Sequence, residues 1–328
     1  MGNFHIVKEK TEIIKKHLVA ARESNPQALR LSGGHSMAQR MRSDLARECG
    51  CEESGEGVRV LRTHACGHEI LRVQIKSEEA AKRIGKPCGR YVTVSCGKAL
   101  YEGERAAEEL RRVLAVELRE MAERVVGKRI QHSFSLLVIG LGNAQMTPDA
   151  LGPQTVERVS VTRFEDREER MWELCDRPCR ISALATGVSC QTGLETAEIV
   201  RGVVSVSNPD LVLAVDSLAA RATSHLGTTV QLSDTGIQPG SGIGGGRPAL
   251  TAQTVGVPVL ALGVPTVVES ETLVKDALVR FGIEEDMPEF EDLVHGGKSF
   301  FVTPKEIDLL VPSLAALLAE SIEKAFSV

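Results

Sequence analysis

The sequence predicts an α/β fold of three layers, in which a mostly parallel sheet is flanked by helices. Continuous apolar runs of strand length occur at 134–143, 210–217 and 258–265, and strands buried on both faces have this composition. Helical segments at 103–126 and 194–206 alternate with these runs. Strands that alternate with helices indicate crossover connections and therefore parallel pairing.

The other elements follow from periodicity. The segments at 68–75 and 90–96 alternate apolar and polar residues, which predicts half-buried strands. A further strand is predicted at 181–188. In the helix at 103–126, apolar residues recur at steps of three and four and form one buried stripe. The stripe consists of Leu110, Leu114, Leu118, Met121 and Val125.

Two glycine-rich breaks, at 31–39 and 48–58, interrupt the pattern near the start of the chain. A segment of amphipathic helical character precedes the first break, at residues 1–30. The sequence therefore predicts an arm with a linker over residues 1–57 and an α/β domain over residues 58–328.

Composition excludes several classes of function. The 328 residues carry 39 Lys and Arg against 44 Asp and Glu, so the net charge is −5, and a general nucleic-acid binder needs a basic face. The longest nearly apolar run, 257–268, is well short of the ~20 residues that span a membrane. The start of the chain has no apolar core typical of a signal peptide. We therefore expect a cytoplasmic protein with no nucleic-acid or membrane partner.

Two carboxylates follow buried strands. Asp149 comes shortly after the strand at 134–143, and Asp216 comes at the end of the strand at 210–217. Ligands bind beyond the carboxyl ends of parallel strands, so both side chains are expected at one edge of the sheet. A pair of carboxyl groups with different pKa values is a common arrangement for acid–base catalysis.

The two aspartates are not expected to be equivalent. With Thr147 as N-cap and Pro148 as the first helical residue, Asp149 lies in a first helical turn, which favours its charged form. Asp216 follows five apolar residues, and burial there raises the pKa of its carboxyl group. Asp149 is then the base and Asp216 the acid, although the opposite assignment stays open. Both residues also have a purely structural interpretation, as a helix-dipole complement and a loop cap.

A glycine-rich segment at 236–246 lies between the second and third apolar strands. Gly240 and Gly242 begin a formal dinucleotide-binding pattern, but Pro239 precedes it instead of a strand. A loop that approaches a peptide substrate and offers N–H groups to a developing oxyanion fits the segment better. A flexible surface loop is the remaining alternative.

Several long motifs, in the same order along the chain, resemble the germination protease family of spore-forming bacteria. They lie at 140–153, 211–221, 234–244 and 256–268, with an earlier characteristic stretch at 84–94. The segment at 42–48 resembles the mature N-terminus of that family. About 40 residues precede Arg42 here, whereas the family's propeptide is short.

The resemblance implies an endopeptidase that degrades small acid-soluble spore proteins during germination, in the forespore or spore core. It implies a zymogen that removes its own propeptide, and a tetramer. We expect no cofactor. Residues 1–57 are then a propeptide-like arm, a linker and the mature N-terminal segment, and residues 58–328 are the peptidase domain. It also implies a fold similar to the hydrogenase maturation peptidases, whose comparable carboxylates hold a metal.

The resemblance also assigns residues. The family's proposed catalytic aspartates fall on Asp149 and Asp216. The family prefers glutamate before the cut, so we expect Arg221 or Arg247 to pair with that carboxylate. The remaining predicted residues support the loops or mark the processing region. They are Gly142, Asn143, Gly240 and Gly242 for the loops, and Leu31, Gln39 and Met41 for propeptide processing.

Two alternatives stay open. One keeps the fold but uses a divalent metal held by Asp149, Asp216 and His225. The other is a non-catalytic relative that binds spore proteins without cutting them.

Overall fold

The structure is a computed structural model that describes residues 43–49, 54–97, 99, 102–164, 179–239, 248–280 and 300–327. The chain divides into two compact units. The larger unit comprises Ser43–Glu269 and Phe301–Val328, and the smaller one includes Ser270–Phe300. The predicted arm falls mostly outside the described residues, so its boundary at residue 57 stays a prediction.

One sheet of nine strands organises the described part of the larger unit. The strands are β1 Val58–Ala65, β2 His68–Ile75, β3 Gly89–Ser95, β4 Ser135–Leu141, β5 Arg180–Gly187, β6 Leu211–Ala220, β7 Thr229–Ser233, β8 Val259–Glu269 and β9 Phe301–Val302. Their order across the sheet is β1-β2-β3-β7-β8-β6-β4-β5, and β9 pairs with β8.

The sheet is mixed, which refines the expectation of a mostly parallel sheet. Parallel pairing joins β5, β4, β6 and β8. The strands β1, β2, β3, β7 and β9 join by antiparallel pairing. The turn between β1 and β2 has two residues, Cys66 and Gly67, which forces antiparallel pairing. The continuous apolar runs thus form the parallel part, and the alternating segments form the antiparallel part.

Eight α-helices are described. They are α1 Glu78–Ile84, α2 Glu104–Val126, α3 Leu151–Val156, α4 Ser189–Thr192, α5 Thr196–Ser207, α6 Ala252–Val255, α7 Ser270–Arg280 and α8 Ile307–Ala325. Helix α2 ends at Gly127, which takes a left-handed conformation. In the described residues no helix is both long enough and apolar enough to cross a membrane.

Apolar residues on both faces of the sheet confirm the predicted three-layer α/β class. Along β4, Leu136 and Val138 pack in the core cluster that includes α2, α3 and α8. Their neighbours Leu137 and Ile139 point to the other face and pack in the cluster of α5 and α6. The predicted stripe of α2 is buried at Leu110, Leu114, Leu118 and Met121 and half-buried at Val125.

Helix α7 is the described helix of the smaller unit. The backbone N–H of Ser270 donates to the carbonyl oxygen of Phe300 at 2.8 Å. Its side-chain hydroxyl accepts the N–H of Phe300 at 3.2 Å. Lys275 and Glu271 form an ion pair one helical turn apart, at 2.8 Å.

Candidate active site

Asp216 lies within β6, between the parallel neighbours β4 and β8. Five apolar residues precede it on the strand, and all are buried because they pack on both faces of the sheet. Asp216 is itself only 8% exposed, and its backbone pairs with Gly263 of β8. The strand therefore delivers a carboxyl group to an apolar setting near the carboxyl end of the sheet.

Burial raises the pKa of Asp216 well above its ordinary value, as the sequence predicted. The charge of Asp149 raises it further, and the charge of Asp44 adds to the same effect. The N–H of Ser217, which donates to Asp216 Oδ1 at 2.8 Å, acts in the opposite direction. Asp216 is therefore suited to carry a proton.

Asp149 ends a tight loop that follows β4. The backbone N–H of Asn143 donates to Asp149 Oδ2 at 2.7 Å. The loop closes where the N–H of Asp149 donates to the carbonyl oxygen of Met146 at 2.8 Å. The hydroxyl of Thr266, on β8, donates to the carbonyl oxygen of Pro148 at 2.7 Å. These contacts fix the Asp149 carboxyl group relative to the parallel strands.

Glycine is required at position 142. Its φ is +109°, a conformation that other residues rarely adopt. A Cβ there would lie 2.1 Å from the carbonyl oxygen of Asp149 and 2.9 Å from Oδ1 of its carboxyl group. The chain can therefore turn tightly around Asp149 only when residue 142 has no side chain.

Two expectations about Asp149 are wrong. Thr147 is not an N-cap: Thr147–Asp149 form a 3-10 turn without a side-chain cap, and α3 begins at Leu151. Asp149 therefore lies in the first turn of a short 3-10 helix, as expected of a helical turn, but it precedes α3 and is not in the first turn of an α-helix. Burial raises its pKa and outweighs the hydrogen bond from Asn143, so the charged form is less favoured than in a free aspartate. No local pattern in the sequence indicates that Asp149 would be half-buried.

The start of α3 lies directly against the sheet. A Cβ on Gly152 would lie 2.3 Å from the carbonyl oxygen of Leu141 on β4 and 2.5 Å from that of Val215 on β6. This glycine lets the helix backbone approach both strands that lead to the aspartates. The two carboxyl groups are thereby brought near enough for the charge of Asp149 to act on Asp216.

A cavity of about 270 Å³ opens beside Asp216. Charged, polar and aromatic side chains line it, among them Asp44, Lys86, Tyr91, Gln231 and Ser233. Lys86 is the basic side chain among the described residues that line it. The cavity has the concave shape and mixed polarity of a ligand site.

A short N-terminal segment, residues 43–48, packs against the end of β6. The N–H of Asp44 donates to the carbonyl oxygen of Ala219, and Asp44 Oδ2 accepts the N–H of Ala219, both at 2.8 Å. Glu48 accepts the backbone N–H groups of Arg221 and Ala222 at 2.7 and 2.9 Å. The segment is therefore hydrogen-bonded to the end of β6 and to the residues that follow it, beyond Asp216.

Glu48 also accepts hydrogen bonds from Ser43 and from the ring of His225. Burial raises the pKa of Glu48, but these hydrogen bonds and the two backbone N–H groups outweigh it, and the net direction is downward. His225, the third ligand in the metal alternative, is thus bonded to Glu48. Across the described ranges, no three His, Cys, Asp or Glu side chains are grouped to hold a metal ion.

The other predicted residues fall into two groups. Gly142 and Asn143 form the Asp149 loop, and Asn143 Oδ1 also accepts from Gln191 Nε2 at 3.0 Å. Arg221 lies just beyond β6, where its backbone N–H contacts Glu48. The rest lie outside the described residues: Gly240, Gly242 and Arg247 of the glycine-rich loop, and Leu31, Gln39 and Met41 of the processing region.

Sequence reasoning missed the contacts of Asp44, Glu48 and Gln231. Gln231 bonds the backbone of residues 44 and 46, which are more than 180 positions away in sequence. No local pattern encodes a contact of that range. The acidic residues of the 42–48 motif could have pointed to these contacts, but in the sequence they indicated only a resemblance to a family.

The fold and the site define an α/β protein in which a buried aspartate, Asp216, lies beside a polar cavity on a parallel strand and a half-buried one, Asp149, lies in the loop after the neighbouring strand. The family model described as germination protease matches residues 34–289. The chain belongs to the germination protease family and is therefore an endopeptidase of spore germination.

Curated relatives agree with this assignment. The germination protease of Caldanaerobacter subterraneus subsp. tengcongensis is 38% identical over 310 residues, which covers 87% of this chain and 94% of the relative. That of Bacillus subtilis is 36% identical over 313 residues, covering 79% and 83%.

A solved structure, a NiFe hydrogenase maturation protease HycI from Thermococcus kodakarensis KOD1, is similar with a TM-score of 0.32 and 19% identity. It covers 62% of this chain and 98% of that one. A similarity this low carries no argument about the site.

Proposed function

We propose that the chain degrades small acid-soluble spore proteins during germination and that Asp149 and Asp216 activate the attacking water. One observation carries the mechanism: Asp216 is buried within a parallel strand, the charge of Asp149 acts on its carboxyl group, and it lines an open cavity. In a carboxyl pair of this kind, the state in which one group is protonated is favoured over the state in which both are ionised. It therefore offers an acid and a base at the same time.

In the proposed reaction, the carboxylate of Asp149 takes a proton from a water molecule. The water oxygen attacks the carbonyl carbon of the scissile peptide bond. Asp216 then donates its proton to the amide nitrogen, and the carbon–nitrogen bond breaks. Burial raises the pKa of both carboxyl groups, but it raises that of Asp216 further, and the N–H of Asn143 opposes the rise at Asp149, so Asp149 is the first of the two to ionise. These preferences support this assignment of acid and base.

The chain is further proposed to be a zymogen that works without a cofactor, as a homotetramer in the forespore or spore core. The processing region at Leu31, Gln39 and Met41 precedes the 43–48 segment, which packs on the end of β6. Because this segment is attached to the strand that carries Asp216, removal of the residues before it would leave the site intact.

Substrate recognition is proposed to involve a cationic side chain and an acidic residue of the substrate. Arg221 follows the catalytic strand, and Arg247 belongs to the glycine-rich loop. Arg221→Met is expected to lower kcat/KM for a peptide with glutamate before the cut more than for its glutamine counterpart. Equal losses for both peptides would remove Arg221 from this role.

The test is a digestion of a purified small acid-soluble spore protein, with fragments identified by mass spectrometry. Full-length chain, a version that starts at Arg42, and Asp216→Asn in that shorter version are compared. We expect the shorter version to cut and its Asn variant to be inactive. If the shorter version cuts nothing, with or without an added divalent metal, the peptidase proposal fails and a binding role replaces it. If only the added metal restores cutting, the metal-dependent alternative replaces the mechanism.

A further inference from the structure

The 43–48 segment connects two strands beside the cavity. Asp44 bonds the backbone of Ala219 on β6 in both directions, each at 2.8 Å. Gln231 of β7 donates from Nε2 to the carbonyl oxygen of Asp44 at 2.8 Å and accepts the N–H of Ala46 at 2.7 Å. The segment is therefore held by side-chain and backbone contacts at once.

Asp44 also lines the cavity of the proposed active site. It lines the same 270 Å³ cavity as Asp216, although the two residues are 172 positions apart in sequence. Its backbone contact on β6, Ala219, lies three residues beyond Asp216. A carboxylate in this position acts on the strand through hydrogen bonds and on Asp216 through its charge.

We propose that Asp44 is a positioning residue of the catalytic centre, which fixes the end of β6 and places a further carboxylate on the cavity that Asp216 lines. This inference rests on the proposed acid role of Asp216 and adds a third carboxylate to the pair. It gives the N-terminal segment a part in catalysis that is separate from propeptide removal.

Charged or titratable groups from several elements surround Asp216 or line the same cavity, and the phenol of Tyr91 on β3 is one of them. Asp149 comes from the loop after β4 and Asp44 from the N-terminal segment, and Lys86 lines the cavity from the loop after α1. Burial is the largest cause of the raised pKa of Asp216, Asp149 is the next, and Asp44 acts in the same direction. Loss of the Asp44 charge should therefore let Asp216 release its proton at lower pH.

The variant Asp44→Asn removes the charge but leaves an oxygen that can accept the N–H of Ala219. The matched control is Asp210→Asn, the same change just before the opposite end of β6. Asp210 Oδ2 accepts the backbone N–H of Ser135 at 2.8 Å, a contact of the same type. Five buried apolar residues of β6 separate Asp210 from Asp216.

The first readout is the pKa of Asp216 itself, from the carboxyl ¹³C resonance of Asp-labelled full-length chain, assigned by its loss in Asp216→Asn. The second is the alkaline limb of the kcat/KM profile with a fixed peptide. Asp44→Asn is expected to move both to lower pH, because a neighbouring negative charge raises the pKa of a buried carboxyl group. Asp210→Asn is expected to move neither.

The proposal is overturned if Asp44→Asn leaves the pKa of Asp216 unchanged, or if both variants shift it equally. Where Asp44→Asn does not fold, as judged by its thermal unfolding, Asp44→Ser replaces it, because its hydroxyl accepts the same N–H without charge. Activity retained in Asp216→Asn would instead refute the proposed function. The NMR titration separates the two failures because it does not require turnover.

Discussion

The backbone N–H of Asn143 donates a 2.7 Å hydrogen bond to the carboxyl group of Asp149. This bond spans a loop whose turn depends on Gly142, and it is the described hydrogen bond that favours the ionised form of Asp149. The loop is also anchored on β8 through Thr266 and Pro148. Two contacts thus set the position of the proposed base, one from the backbone of Asn143 and one from the side chain of Thr266.

Gly142→Ala is expected to lower both stability and activity. The new Cβ would lie 2.1 Å from the carbonyl oxygen of Asp149 in a backbone conformation with φ of +109°. Strain of this kind costs about 1–3 kcal/mol, and the loop must shift to relieve the contact. We expect kcat/KM to fall at least tenfold, since small misplacements of a catalytic group are costly.

Gly193→Ala is the control for Gly142→Ala. Gly193 has φ of +71°, and a Cβ there would meet no atom within 4 Å. It should lose stability through backbone strain but retain kcat/KM. Urea unfolding and peptide hydrolysis measure the two effects. Equal losses of activity in both variants would show that strain alone, without displacement of Asp149, explains the result.

Asp216→Asn is expected to stabilise the chain at neutral pH while it abolishes activity. The pKa of Asp216 is raised in the folded state, so the folded chain binds more protons than the unfolded chain above about pH 4. Stability of the natural sequence therefore falls as pH rises toward the raised pKa, and the Asn variant escapes this loss. We expect its thermal midpoint to exceed that of the natural sequence by about 2–4 °C at pH 7.5.

Thermal unfolding at several pH values tests this expectation. The difference between the two midpoints should be small near pH 4 and grow as pH rises. Asp210→Asn serves as the comparison, because Asp210 accepts a bond from Lys128 at 2.6 Å and loses a favourable contact when neutralised. A midpoint for Asp216→Asn that lies below that of the natural sequence at every pH would contradict a strained, buried carboxyl group.

Glu48→Gln is expected to have the opposite pH dependence. The folded-state pKa of Glu48 is lowered by its hydrogen bonds with His225, Arg221, Ser43 and Ala222. Its contribution to stability is therefore complete above its ordinary pKa of about 4.3 and is lost as pH falls below it. At pH 7 the variant should lose about 1.5–3 kcal/mol, the range for a hydrogen bond to a charged group.

The measurement for Glu48→Gln is the free energy of unfolding in urea at pH 7 and near pH 3. The difference from the natural sequence should shrink at the lower pH, because Glu48 gains a proton first in the unfolded state and then, as pH falls through its lowered pKa, in the folded state. A difference that stays constant over this range would mean that the ionised form of Glu48 contributes nothing to the attachment of the 43–48 segment.

The sequence predicted the part of the fold that is locally encoded. The apolar runs that became β4, β6 and β8 and the stripe of α2 have periods that report burial directly. The antiparallel half of the sheet was harder to predict from the sequence, because β7 is short and its neighbours β3 and β8 are far apart in sequence.

At the site, the sequence predicted where Asp149 and Asp216 would lie along their strands but not how their surroundings would act. The raised pKa of Asp216 followed from its five apolar neighbours. That of Asp149 did not, because its burial depends on tertiary packing. The contact of Asp44 with Ala219 joins residues 175 positions apart, which no local pattern encodes.

The pH dependence of kcat/KM for one peptide, measured with the natural sequence, Asp149→Asn and Asp216→Asn, tests the central claim most directly. The natural sequence should give a bell-shaped profile, and its limbs should report the apparent pKa values of the pair. Each folded Asn variant should lose activity by about 10³-fold or more at the optimum. If either variant retains a tenth of the activity with an unchanged profile, the aspartate pair does not perform the hydrolysis.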